Sequence, residues 1–384
     1  MESKTVEPAA SSGHPRVVTA LLVIGTLVAF LAIFSIWVNR QALNTENWVD
    51  TSGRVLQNEE VQAQLSNYVA DQLFANVDVA QELEGVLPPK LAPLAGVAAG
   101  GLQQLVPQIA QRAFATAQVQ QLWEEANGAA HRTLLEILDG GNSTVSTGGG
   151  EVSLDLGALI ERIGQQVGIG STIAAKIPAN AGKLTILKSD QISAAQDAVK
   201  VVRRLPVVLT LLAVLLYGLA IGLAGPRRRR ALRSAGIGFV VAGVLALLVR
   251  SIGGHAVVGS LVSNQAAKPA AEAVWNIGTS LLVTVASSAI VFGLLVVIGA
   301  WLAGPTRIAL RLRREAAPYV REQQAAAYGA AAVVYVALIA WAPIAAFRKP
   351  LGVLLFALLL AAGTEILRRQ ILREFPVGRS APPA

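Results

Sequence analysis

Glu365 is the one carboxylate set inside a long apolar run, and Arg368 and Arg369 follow it at i+3 and i+4. A carboxylate at membrane depth is the residue type that proton-driven transporters use to take up and release protons. The same spacing puts both guanidiniums on its side of a helix, where they neutralise it. Glu365 is therefore a structural residue first and a weak intramembrane candidate second. Arg250, at the outer end of another apolar run, is long enough to reach the headgroups.

Other reactive types are scattered. His14, His131 and His255 are far apart, with no His-x-x-x-His or Glu-x-x-His spacing, so no metal site is indicated. Glu59–Glu60 and Glu124–Glu125 are adjacent pairs, which a helix sends to different sides. Gly236-x-Gly238 follows an arginine run rather than the strand that a dinucleotide site needs. Cysteine is absent, which removes disulfides, thiolate ligands and cysteine nucleophiles. Asn142-Ser143-Thr144 fits a glycosylation sequon, a pattern common by chance. No catalytic residue, cofactor or metal ligand emerges, and the chain reads as a non-enzyme.

The elements that would position these residues are mostly membrane spans. The chain is 53% hydrophobic and 15% charged, a balance that excludes disorder. Val17–Val38 carries no charge over 22 residues and about twenty suffice to cross a bilayer. Its length exceeds the usual apolar core of a signal peptide, so an uncleaved anchor is expected, with Trp37 at the headgroups. Further spans are expected at Pro206–Ala224, Gly236–Val249, Ile277–Ala303, Ala326–Phe347 and Leu351–Leu367. The third must extend toward Ile252 to cross. Arg348, Lys349 and Pro350 leave room only for a tight hairpin between the last two, and Pro343 kinks the fifth.

Arginine orients the set, because cytoplasmic loops collect Lys and Arg. Arg227, Arg228, Arg229, Arg230 and Arg233 lie between spans two and three. Arg307, Arg311, Arg313, Arg314 and Arg321 lie between four and five, and Arg368, Arg369 and Arg373 follow six. All three clusters share a side if both termini are cytoplasmic and the protein sits in the plasma (inner) membrane. Residues 39–204 hold 12 Lys/Arg against 17 Asp/Glu, a net of −5. The remainder holds 20 against 7, a net of +13, which together reproduce the overall +8. The basic balance is thus a topology signal. No aromatic residues interleave with the arginines, so nucleic acid is not an expected partner. Membrane lipids are, and Arg227–Arg230 suits anionic headgroups.

The expected layout is a tail at 1–16, a first span at 17–38, an extracytoplasmic α-rich domain at 39–204, a five-helix bundle at 205–367 and a tail at 368–384. In the outer domain, Asn58 is placed to cap a helix with Val61, Leu65, Tyr68, Val69 and Leu73 as its apolar stripe. Leu102, Leu105, Ile109 and Ala113 repeat the pattern. Trp123 and Leu134–Leu138 suggest further helices, and Pro88, Pro89 and Pro93 interrupt. Val152, Leu154 and Leu156 alternate as in a half-buried strand after Gly148–Gly150, and Lys183–Leu187 is a second strand, giving a small β element. Ser189 and Asp190 start a helix that buries Ile192, Ala195, Val199 and Val202 and runs into span two. The loop 253–275 either lies on the bilayer or packs under the main domain. Gly218-x-x-x-Gly222, Gly236, Gly238 and Gly243 allow close helix packing, within the chain or between copies.

Several motifs together resemble a family of uncharacterised actinobacterial integral membrane proteins. They are Asn47-Trp48-Val49 with Thr51-Ser52, Val152-Ser-Leu-Asp-Leu156, Ser189-Asp190-Gln191, Gly299-Ala-Trp-Leu-Ala-Gly-Pro305, and Leu367-Arg-Arg-Gln370 with Arg373-Glu-Phe-Pro376. The resemblance implies a shared architecture and brings no activity. The layout is also similar, in topology alone, to half of a resistance-nodulation-division transporter. Spans two to four here lack the Asp or Glu such pumps run on.

These features point to a non-enzymatic integral membrane protein of the cell envelope. It would act as a scaffold, sensor or accessory component, with an envelope protein partner met through residues 39–204. The alternative is a transporter or lipid-handling component, not proton-driven, in which a homo-oligomer completes the pore. A membrane enzyme, with polar groups that meet only in three dimensions, comes third.

Overall fold

A computed structural model describes residues 14–140, 145–146, 151–155, 183–262, 264–322, 324–341 and 350–375. The fold is that of a mainly α, membrane-embedded protein. Four helical segments are long and apolar enough to cross a membrane: Pro15–Ala42, Ala194–Leu223, Gly225–Ser260 and Ser280–Leu302. Pro343, Arg348, Lys349, the Asn142 sequon and the Gly148–Gly150 turn lie outside the described residues.

The chain divides into two units. The first comprises 1–36, 206–249 and 282–384. Here α1 (Pro15–Ala42) buries Gly25, Val28, Ala29, Ala32 and Ile33, a stripe at spacings of three and one that faces one side of the helix. α7 (Ser189–Leu223) and α8 (Arg228–Leu261) are joined by a short turn in which Gly225 takes φ +52°, a conformation glycine adopts without penalty. α10 (Ser280–Leu302) is followed by α11 (Arg307–Glu322), α12 (Gln324–Trp341) and α13 (Pro350–Glu374). Tyr217 of α7, 4% exposed, anchors the centre: its hydroxyl lies 3.0 Å from Thr26 Oγ1, and its ring leads through Phe239 to Phe292.

The second unit comprises 37–205 and 250–281. It holds α2 (Thr45–Gln57), α3 (Glu59–Asn76), α4 (Val79–Val86), α5 (Ala95–Phe114), α6 (Ala117–Leu138) and α9 (Lys268–Gly278). β1 (Val145–Ser146), β2 (Glu151–Asp155) and β3 (Lys183–Lys188) pair antiparallel in that order. α2 packs on α6, α3 on α5, and α9 on both α2 and α3. The loop between the third and fourth expected spans therefore joins the main domain. Within that loop the Trp275 indole lies over Gly254, where a methyl would come within 2.5 Å of its nitrogen. The expected fourth span is shortened at its start, because the backbone breaks at Thr279 between α9 and α10.

Two expected apolar stripes are corrected. Asn58 caps α3 as its position demands, its side chain accepting from the Glu60 and Val61 amides. Yet α3 buries Gln62, Ser66 and Ala70, and exposes Tyr68, Val69 and Leu73. The small side chains let neighbouring backbones approach, and Ser66 satisfies its own hydroxyl by donating to the Gln62 carbonyl at 2.6 Å. On α5 the wholly buried residue is Ala95, whereas Leu105 and Ile109 are exposed. Its inward side runs through Leu102, Val106, Ala110 and Phe114, offset from the expected set.

Candidate functional site

At the C-terminus of α10 the last carbonyls have no helical partner, and Gly304-Pro305 prevents the helix from continuing. Cationic donors suit such an end, where aligned peptide dipoles concentrate negative charge. Arg229 Nη1 donates to the Ala303 carbonyl at 2.6 Å. Gln370 Nε2 donates to the same oxygen at 3.0 Å. Arg313, on α11, donates to the carbonyls of Leu302 and Gly304, the latter at 2.9 Å.

Arg313 is buried at 3% exposure, and Glu374 of α13 balances its charge: the guanidinium Nε lies 2.9 Å from Oε2. Gln370, one turn before Glu374, holds the other oxygen at 2.6 Å. Arg314 stands over the Phe375 ring at 6.0 Å. Beneath the polar groups, Ala317, Val320 and Ile371 form a small core with Leu367 and Phe375. Two segments of the motif set, 299–305 and 367–376, thus meet here.

Glu365 sits farther along α13. It accepts from Arg368 Nε at 2.9 Å, Arg369 Nε at 2.7 Å and Tyr328 Oη at 2.7 Å. Tyr328 belongs to α12, and nothing in the local spacing could have announced it. Arg227, Arg228 and Arg230 are exposed, whereas Arg229 reaches α10. Of the residues marked as orienting the protein, Arg229 and Arg313 thus also cap a helix, Arg314 stacks on a ring, and Arg368 and Arg369 neutralise a carboxylate. Glu374 and Gln370 were the partners that sequence reasoning missed. Their i,i+4 spacing beside a buried-side Ile371 was the available signal.

The arrangement spends its donors on carbonyls and carboxylates. Its chemistry is that of a lock joining α8, α10, α11 and α13. Among the described residues, no three His, Asp or Glu side chains come together as metal ligands would.

The second unit has its own buried polar group. His131 of α6, 4% exposed, faces the Ala42 carbonyl through Nε2 at 3.2 Å and Thr45 Oγ1 through Nδ1 at 3.1 Å. A carbonyl only accepts, so Nε2 is the donor in the bond to Ala42. Trp48 stacks on the ring at 5.0 Å. Val49 meets Gly128, and the Ser52 carbonyl accepts from Trp123 Nε1 at 3.0 Å. The Asn47–Ser52 motif is thus the packing edge of α2 against α6.

Several large apolar residues of this unit are exposed. From Leu91 to Gln111 there is no charged residue. Val97, Leu105 and Ile109 are exposed along α5, as are Tyr68, Val69 and Leu73 on α3. Comparison with protein-family models, curated proteins and solved structures finds no match.

Proposed function

We propose that the chain is a non-enzymatic envelope scaffold that binds a protein partner through the extracytoplasmic unit built around residues 39–204. The observation that carries this is the set of exposed apolar residues on α5, Val97, Leu105 and Ile109, on a helix that carries no charge before Arg112, together with exposed Tyr68, Val69 and Leu73 on α3, which packs on it. Contiguous apolar surface on a water-facing domain marks an interaction site, since its exposure costs free energy until something covers it. The surrounding net charge of −5 over residues 39–204 keeps the face soluble when empty.

Six spans in the plasma membrane, both termini cytoplasmic, complete the proposal. Its support is the grouping of three arginine clusters on one side. Membership of the actinobacterial membrane-protein family belongs to the same proposal and rests on the motifs that pack α2 and close α10.

Photocrosslinking residues placed at Val97 and Leu105 in cells test the partner. A discrete protein adduct is expected, lost in the Leu105→Glu/Ile109→Glu double variant. Capture of neither protein nor lipid would refute the scaffold reading. Reporter fusions at Gly149 and Asn264 should read outside, and at Arg229, Arg314 and Arg379 inside. An outside signal from Arg314 sinks the six-span topology.

A further inference from the structure

α11 buries the opposite of what its composition suggests. Ala309, Arg313, Ala317 and Val320 face inward, while Ile308, Leu312 and Tyr319 are exposed at 60%, 46% and 71%. It is also the most amphipathic of the described helices. At about 100° per residue, Ile308, Leu312 and Tyr319 fall within roughly 40° of one another. Arg307, Arg311 and Arg314, all exposed, form a second stripe about 120° away. The helix therefore carries three faces: one held by Glu374 and the carbonyls at the end of α10, one apolar and open, and one basic, on which Arg307 and Arg311 are open and Arg314 lies over Phe375.

Its place in the chain decides what can cover the open faces. α10 is long and apolar enough to cross a membrane, and only Ala303–Thr306 separate it from α11. Five peptide steps reach about 18 Å at full extension. Arg313 draws the helix closer still, because its guanidinium binds carbonyls at the very end of α10. A helix so tethered stays at the membrane–water boundary. There an apolar stripe enters the acyl edge and flanking arginines meet phosphates.

We infer that α11 is an interfacial helix that binds anionic phospholipid, with Ile308, Leu312 and Tyr319 in the acyl boundary and Arg307 and Arg311 on headgroup phosphates. The leaflet, though not the interfacial position, rests on the topology proposed above.

The chain has no cysteine, so Leu312→Cys or Tyr319→Cys carries a single nitroxide on the full-length protein. Collision accessibility is read in proteoliposomes of phosphatidylcholine alone and with phosphatidylglycerol. The expected result is protection from an aqueous nickel chelate and exposure to oxygen at both sites, increasing with phosphatidylglycerol. Arg307→Gln/Arg311→Gln should lower the protected-to-exposed ratio in anionic vesicles about thirtyfold, as two surface arginines contribute roughly fivefold each. Equal access for the nickel chelate in both vesicle types would overturn the proposal. So would protection that persists in neutral detergent and ignores the charge changes, which would instead assign the stripe to a second copy of the chain. Depth is read from either leaflet, so a wrong topology would show in the fusions and leave this outcome standing.

Discussion

α7 and α8 both carry glycines of the kind that invite close helix packing, and they use them in opposite ways. A methyl placed at Gly236 or Gly243 of α8 would lie 2.9 Å and 2.7 Å from the backbone oxygens of Gly293 and Ala286 on α10. Gly293 answers from the other side, 2.5 Å from the Gly236 oxygen. Around Gly218 and Gly222 of α7 nothing lies within 4 Å. The α7 pair has the spacing long associated with helix association, yet it is the irregular α8 set that brings two backbones together. Spacing records an opportunity for contact, and only a neighbour converts it into one.

The largest effect on this contrast should come from Arg313→Ala, because the node fixes the end of the helix that supplies Gly293. Removing the guanidinium loses its hydrogen bonds to the Leu302 and Gly304 carbonyls and its pairing with Glu374, which at roughly 1.5 kcal/mol per charged donor contact sums to about 4 kcal/mol. A fall of that size is expected in detergent-titrated unfolding, and an unchanged midpoint would show that α10 is held from elsewhere. Gly293→Ala should follow at about 3 kcal/mol, since its new methyl meets backbone that cannot swing aside. Gly238→Ala should lose less, about 1–2 kcal/mol. There the obstacles are the side-chain oxygens of Thr26 and Tyr217, each 2.5 Å away, and the tyrosine can tilt.

Smallest of all, Gly218→Ala and Gly222→Ala should be neutral or stabilising by up to about 1 kcal/mol, from helix propensity alone. A clear loss at either would place the helix of a second copy on that face, and crosslinking at residue 218 would then trap a dimer.

Much of the architecture was legible because bilayers impose coarse rules. Val17–Val38 lies within α1 and Pro206–Ala224 almost wholly within α7, while Gly236–Val249 is the middle of a longer α8. The Asn58 cap and the helix start at Ser189 were equally readable, being local chemistry. The second unit was less so. Tyr68, Val69 and Leu73 look like a core stripe by period, but small Ser66 and Ala70 let α3 approach its neighbours by the other side. Burial went to the face with the better fit, leaving the larger apolar residues outside. Among site residues, the Glu365–Arg368–Arg369 grouping lies within one turn of helix and was visible. Arg313–Glu374 joins residues 61 positions apart, a relation no local window contains.

By itself the sequence determined that this chain is a mainly helical membrane protein, roughly where its first apolar helices lie, and how its charge divides along its length. Those properties are sums over neighbouring residues, and hydrophobic transfer and charge add locally. Tertiary structure alone decided which arginines became helix caps, which glycines touch backbone, and which apolar residues were left exposed. These depend on the second surface brought against each helix, and one burial face excludes another.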